Sequence, residues 1–141
     1  MIGKTERKFS DLKLDKWILK NIDYLRYEKP TLIQENIIPK ILAGENVIGI
    51  ANTGTGKTAA FCLPILKKLA IDPSGMFAII LEPSRELAVQ VLEKLKVFSA
   101  GFNLRVSLII GGMDITEQLH KLDQIPHIVN KLLLKAFISK N

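Results

Sequence analysis

The stretch ANTGTGKT, residues 51–58, restricts what this chain can fold into more than any other. Glycines let successive backbone N–H groups turn inward on an anion, a lysine reaches terminal phosphate oxygens, and a hydroxyl can hold Mg²⁺. Thr53, Gly54, Thr55, Gly56, Lys57 and Thr58 supply these parts. The pattern G-x-x-x-x-G-K-[ST] is met except at its first position, where Ala51 stands, so the surroundings decide the reading.

Those surroundings favour a P-loop. NVIGIA (46–51) is a short, nearly all-apolar run, as expected of a strand buried on both faces, and GKTAAFCLPILKKLA (56–70) resumes helical spacing with an irregularity at Pro64. A helix that begins near Lys57 adds its dipole to the inward-pointing amides. Upstream, DKWILKNIDYL (15–25) and PTLIQENIIPKILAG (30–44) read as helices, the second capped by Thr31, stopped at Gly44, and kinked or divided at Pro39. Downstream come a turn at DPSG (72–75), a strand at MFAIILE (76–82), a helix over 84–98 stopped by Gly101, and a strand at LRVSLII (104–110). Gly111–Gly112 makes a turn, 114–122 forms a short helix with Asp114 and Glu117 at capping-box spacing, and PHIV (126–129) begins a fourth strand. Alternating strands and helices predict an α/β fold: a parallel sheet with helices on both faces and the P-loop at a strand's carboxyl end, where such sheets bind ligands.

Composition removes several alternatives. At 141 residues and 48% hydrophobic content the chain fits one domain. No apolar run is long enough to span a membrane, and MIGKTERKFSD has no signal-peptide core, so an intracellular, membrane-free monomer is expected. The single cysteine, Cys62, lies in AAFCLPIL and reads as a small buried hydrophobe; neither a disulfide framework nor a Cys/His metal site can be built. A net charge of +6 suits a polyanionic partner, although Lys131, Lys135 and Lys140 supply half of it.

Three further stretches carry a resemblance to the amino-terminal domain of the DEAD-box ATP-dependent RNA helicases. YEKPTLIQ (27–34), followed by IIP and preceded by the isolated Phe9, resembles the family's Q motif. The resemblance implies that Gln34 reads the adenine edge and that Tyr27 stacks on the base, with Phe9 in support. One amide does offer adenine a donor and an acceptor, but T-x-x-Q is also a capping box, and the residues alone leave both readings open. PSRELAVQ (83–90) is similar to the family's PTRELA element, which implies RNA-backbone contacts from Pro83, Ser84 and Arg85; the bland reading of Arg85 and Glu86 is a solvated pair in a first helical turn. Gly111 and Gly112 match the family's GG element on the RNA face. DPSGMF and GGMD look most like the nucleolar branch that acts in small ribosomal subunit assembly, which implies a nucleolar location and pre-ribosomal RNA. A P-loop kinase or GTPase needs neither YEKPTLIQ nor PSRELA.

The resemblance covers residues 9–129. Family members continue from PHIV into V-A-T-P-G-R, D-E-A-D, S-A-T and a second RecA-like domain with arginine fingers, whereas this chain reads PHIVNKLLLKAFISKN. Residues 1–129 are therefore read as a partial, RecA-like ATP-binding helicase domain, with the Q motif across 9–34, and 130–141 as a divergent tail without a packing role. The expected ligands are ATP or ADP, Mg²⁺ at Thr58, and RNA. Lys57 and Thr58 are only part of a phosphoryl-transfer centre, so binding without turnover is expected. The rival reading is a non-catalytic interaction or RNA-binding module that competes with the full-length helicase. With the later strands missing, NVIGIA is expected to be short of a neighbour and the fold poorly stable.

Overall fold

The computed structural model describes residues 5–112 and 114–132. They fall into two compact units. One comprises the chain through Pro73 together with Lys94–Leu104; the other comprises Ser74–Glu93 and the chain from Arg105 onward.

The first unit is helical. After a 3-10 turn at Phe9–Leu12 come α1 (Lys16–Tyr24), α2 (Leu32–Leu42) and α3 (Lys57–Ile71). The side chains of Ile18, Ile22, Ile38, Leu63, Leu66 and Leu69 are fully buried, and Cys62 lies among the buried residues as its apolar context suggested. Pro39 does not divide α2, which runs on to Leu42, and Pro64 is likewise accommodated inside α3. The carboxyl end of the helix α4 (Arg85–Phe98) belongs here as well. The Asn21 side-chain amide donates to the carbonyls of Phe98 and Ala100, both at 2.9 Å, and Trp17 stacks on Phe102 with ring centroids 5.5 Å apart.

The predicted strand at 46–51 is not formed. Residues 45–52 have no ladder partner among the described residues, and Ile48 and Ile50 are each 91% exposed. Apolar content gives a segment reason to be buried, but only a neighbouring strand can satisfy its backbone N–H and C=O groups; water satisfies them here.

The second unit is a three-stranded parallel sheet in the order β1 (Ala78–Glu82), β3 (Ile128–Leu132), β2 (Val106–Ile109). Three of the four expected strands are thus present. Ile128 lies opposite Ala78 and Val106, and Asn130 opposite Ile80 and Leu108. The helix α5 (Ile115–Asp123) connects β2 to β3. Asp114 caps it, accepting from the N–H groups of Thr116 at 2.6 Å and Glu117 at 3.2 Å. These bonds, Glu117's first, hold the Asp114 carboxyl below the usual aspartate value. The Glu117 side chain pairs with Lys121 at 2.6 Å.

The central strand crosses the point where the family resemblance stops. β3 runs through Asn130, Lys131 and Leu132, and Asn130 is fully buried, its amide donating to the Ala88 carbonyl at 2.6 Å. Residues 130–132 therefore pack, contrary to the expectation that nothing from 130 onward does. The Asn130 Oδ1 has no hydrogen-bond partner, which for a buried polar atom costs about 1–3 kcal/mol. Leu133, Phe137 and Ile138, the tail residues singled out from sequence, lie outside the described residues.

Candidate nucleotide-binding site

The P-loop occupies 51–56 and feeds directly into α3, with Gly56 as its N-cap. Gly54 and Gly56 adopt φ of +81° and +87°, a region costly for any residue with a side chain. At Gly56 space forbids one as well, because a Cβ would stand 2.3 Å from the Gln34 Nε2. At Gly54 nothing lies within 4 Å, so this part of the loop faces open space.

Two side chains from the start of α2 hold the loop from behind. The Thr31 hydroxyl donates to the Thr55 carbonyl at 2.8 Å, and the Gln34 Nε2 donates to the Gly56 carbonyl at 3.1 Å. The Gln34 Oε1 also accepts from the Thr31 N–H at 2.9 Å, closing a capping box. Gln34 is only 3% exposed. The capping-box reading is therefore realised, and the same amide carries a bond to the loop that the box does not require. Each amide has two N–H groups and two oxygen lone pairs, so one donor and one acceptor remain for a base.

Lys57 turns back on its own loop. Its ammonium donates to the carbonyls of Ala51 at 2.6 Å and Asn52 at 2.8 Å, while the Thr55 hydroxyl donates to the Asn52 carbonyl at 2.7 Å. Phosphate oxygens are the stronger acceptors for an ammonium, so a nucleotide has only weaker, neutral bonds to displace. Thr53 is exposed, and Thr58 is half-buried in the first turn of α3. Among the described residues no cluster of three or more His, Cys, Asp or Glu could by itself hold a metal ion. Tyr27 is half-buried with its ring edge-on to Phe98, centroids 6.1 Å apart. Phe9 is 4% exposed, and Tyr27 and Phe9 border one cleft together with Lys29 and Asp23.

The residues assigned to RNA are brought together in the second unit. Pro83, Ser84 and Arg85 follow β1, and Gly111 and Gly112 follow β2, so both sets lie at the carboxyl edge of one sheet, with Lys131 on the strand between. Pro83, Arg85, Gly111 and Gly112 are exposed. The Ser84 hydroxyl accepts from the Leu87 N–H at 3.2 Å. The Glu86 carboxyl is held below its ordinary value, first by its own backbone N–H and next by the Ser84 hydroxyl. A carboxylate thus sits on the helix start where a phosphate would be received. Burial at the end of β1 instead pushes the Glu82 carboxyl up.

Sequence reasoning missed the Thr31 contact with the loop. T-x-x-Q marked Thr31 as a cap, but nothing local signals a bond to a carbonyl 24 positions away.

Residues 31–135 match the family model described as DEAD/DEAH box helicase, and the chain belongs to that family. It is 49% identical over 129 residues to the ATP-dependent RNA helicase dbp8 of Schizosaccharomyces pombe, covering 92% of this chain and 28% of that protein. It is 50% identical over 121 residues to the DEAD-box ATP-dependent RNA helicase 36 of Arabidopsis thaliana, covering 86% of this chain and 25% of that one. The chain thus spans about a quarter of the length of these relatives. Among solved structures, a DEAD box protein from the hyperthermophile Methanococcus jannaschii superposes with a TM-score of 0.83 at 38% identity, covering 89% of this chain and 34% of that one. The RNA-helicase Prp28 from Chaetomium thermophilum, bound to ADP, gives 0.80 at 33% identity, covering 89% and 32%. The parallel α/β architecture is that of the RecA-like domain of these helicases. No described helix is long and apolar enough to cross a membrane.

Proposed function

We propose that this chain is the amino-terminal, nucleotide-gripping portion of an ATP-dependent RNA helicase. The observation that carries this reading is the pair of bonds from Thr31 and Gln34 to the P-loop carbonyls, which ties a base-reading residue to a phosphate-binding loop. Thr53, Gly54, Thr55 and Gly56 line the phosphate path, and Lys57 bonds the terminal phosphates. Thr58 supplies the hydroxyl for Mg²⁺, which when bound neutralises phosphate charge. Gln34 selects adenine, and Tyr27 offers the base its ring, with Phe9 behind it. Pro83, Ser84, Arg85, Gly111 and Gly112 contribute to the path of RNA, where backbone phosphate displaces Glu86 from the start of α4. Residues 1–129 are the helicase part and 130–141 the divergent segment, of which 130–132 complete β3.

The finer assignment is to the nucleolar branch, acting on pre-ribosomal RNA as a monomer. Its support is the similarity of DPSGMF and GGMD to that branch.

Residues 1–141 alone bind without turning over. The DEAD and SAT elements do not occur in them, and losing arginine-finger stabilisation alone costs about 10³ to 10⁵ in rate. A phosphate-release assay with and without single-stranded RNA tests this, and should give the same background for the wild type and Lys57→Ala. RNA-stimulated release that Lys57→Ala abolishes would contradict it.

A further inference from the structure

The helix α5 has its apolar face uncovered. Ile115, Leu119 and Leu122 recur at i, i+4 and i+7 and so share one side of the helix. Ile115 is 73% and Leu119 55% exposed, and Ile125, just beyond the helix, is 56% exposed. The residue that α5 turns inward is polar: Gln118 is 8% exposed, and its Oε1 accepts from the Ile110 N–H at 3.0 Å. A nine-residue helix draws most of its stability from burying an apolar face, so a hydrogen-bonded glutamine is a weak substitute.

We propose that residues 133–141 of this chain dock along this stripe. The first support is position: Leu132, which immediately precedes the segment, borders one cleft with Ile115, where the stripe begins. Reach is ample, since nine residues extend up to about 30 Å, against roughly 10 Å from Ile115 to Leu122 along a helix. Pattern is the next support. Leu134, Phe137 and Ile138 fall at i, i+3 and i+4, one face of a helical turn. Charge is the last. Residues 133–141 contain Lys135 and Lys140 and no acid, whereas α5 with its cap holds Asp114, Glu117 and Asp123 against Lys121. The docked segment covers the approach to Gly111–Gly112, which border the same cleft. Interference with RNA there rests on the proposed function; the docking does not.

The test uses the full chain without nucleotide or RNA, so its failure is separate from failure of that reading. Cysteines replace Leu119 and Phe137 in one variant and His120 and Phe137 in another, both with Cys62→Ala, and disulfide formation is followed by peptide mass spectrometry. Docking predicts an intramolecular 119–137 disulfide forming about tenfold faster than the 120–137 control, because the docked partner is held at high effective concentration. Phe137→Asp should also raise amide exchange across 115–122 and leave α3 unchanged. Equal disulfide rates in the two variants, or exchange unaltered by Phe137→Asp, would overturn the proposal. A disulfide formed only between chains would overturn it too, and would give the stripe to a second copy.

Discussion

Two apolar runs of the same character end differently in this molecule. AIILE at 78–82 pairs with β3 along its whole length and buries Ile80, whereas NVIGIA at 46–51 forms no ladder and leaves Ile48 and Ile50 in solvent. Local sequence does not separate them. A strand exists when a neighbour satisfies its backbone, and β1 has one in β3. The P-loop beside NVIGIA is ordered by other means, with side-chain bonds from Thr31 and Gln34 replacing the support of a sheet.

The largest expected effect lies in that neighbour. Ending the chain after Val129 removes Asn130, Lys131 and Leu132, three of the five positions at which β3 pairs with β1. At about 0.5–1.5 kcal/mol per backbone hydrogen bond the loss amounts to several kcal/mol, against a total stability of about 5–15 kcal/mol. Urea unfolding should show the second unit of 1–129 unfolded or nearly so, while 1–132 retains it. Equal stability of the two chains would break the comparison, because β1 would then stand without its partner.

Next in size is a pair of substitutions. Ile80→Ala, at a side chain 7% exposed, should cost about 2–5 kcal/mol in a thermal or urea melt. Ile48→Ala, at a side chain 91% exposed, should change stability by no more than about 0.5 kcal/mol. A large loss from Ile48→Ala would mean that 46–51 is a paired, buried strand in solution.

Gly56→Ala sharpens the contrast from the other side. The new Cβ meets a positive φ and the Gln34 amide together, so the substitution should cost about 1–3 kcal/mol and detach Gln34 from the loop. Gly54→Ala meets only the positive φ, with nothing within 4 Å, and should cost about 1 kcal/mol. Melts of the two variants rank them; an equal or reversed order would show that Gln34 does not brace the loop.

Much of the fold could be read from the sequence where the determinants are local. The helices fall within a residue or two of their predicted bounds because apolar spacing and end signals such as Asp114 sit inside the segments they govern. The P-loop was equally legible, since Gly54 and Gly56 mark their backbone requirement by their identity. What the sequence concealed depends on pairing. The fate of NVIGIA and the extension of β3 to Leu132 turn on which strand lies alongside, and Asn130, a poor residue for a central strand, gave no sign that it would be buried. Gln34 was half legible: T-x-x-Q foretold its bond to Thr31 but not its bond to Gly56, which needs α2 and the loop folded together.

The account stands most directly on Gln34 as the residue that both braces the P-loop and reads the base. Calorimetric titration of the full chain with ADP and with GDP, each with Mg²⁺, measures this for the wild type and Gln34→Ala. The remaining donor and acceptor of one amide match adenine and mismatch guanine, a difference worth about 1–3 kcal/mol, or roughly tenfold or more in affinity. The wild type should therefore prefer ADP by at least about tenfold, and Gln34→Ala should lose that preference while still binding through the phosphates. Equal binding of ADP and GDP by the wild type, or a preference that survives in Gln34→Ala, would contradict it.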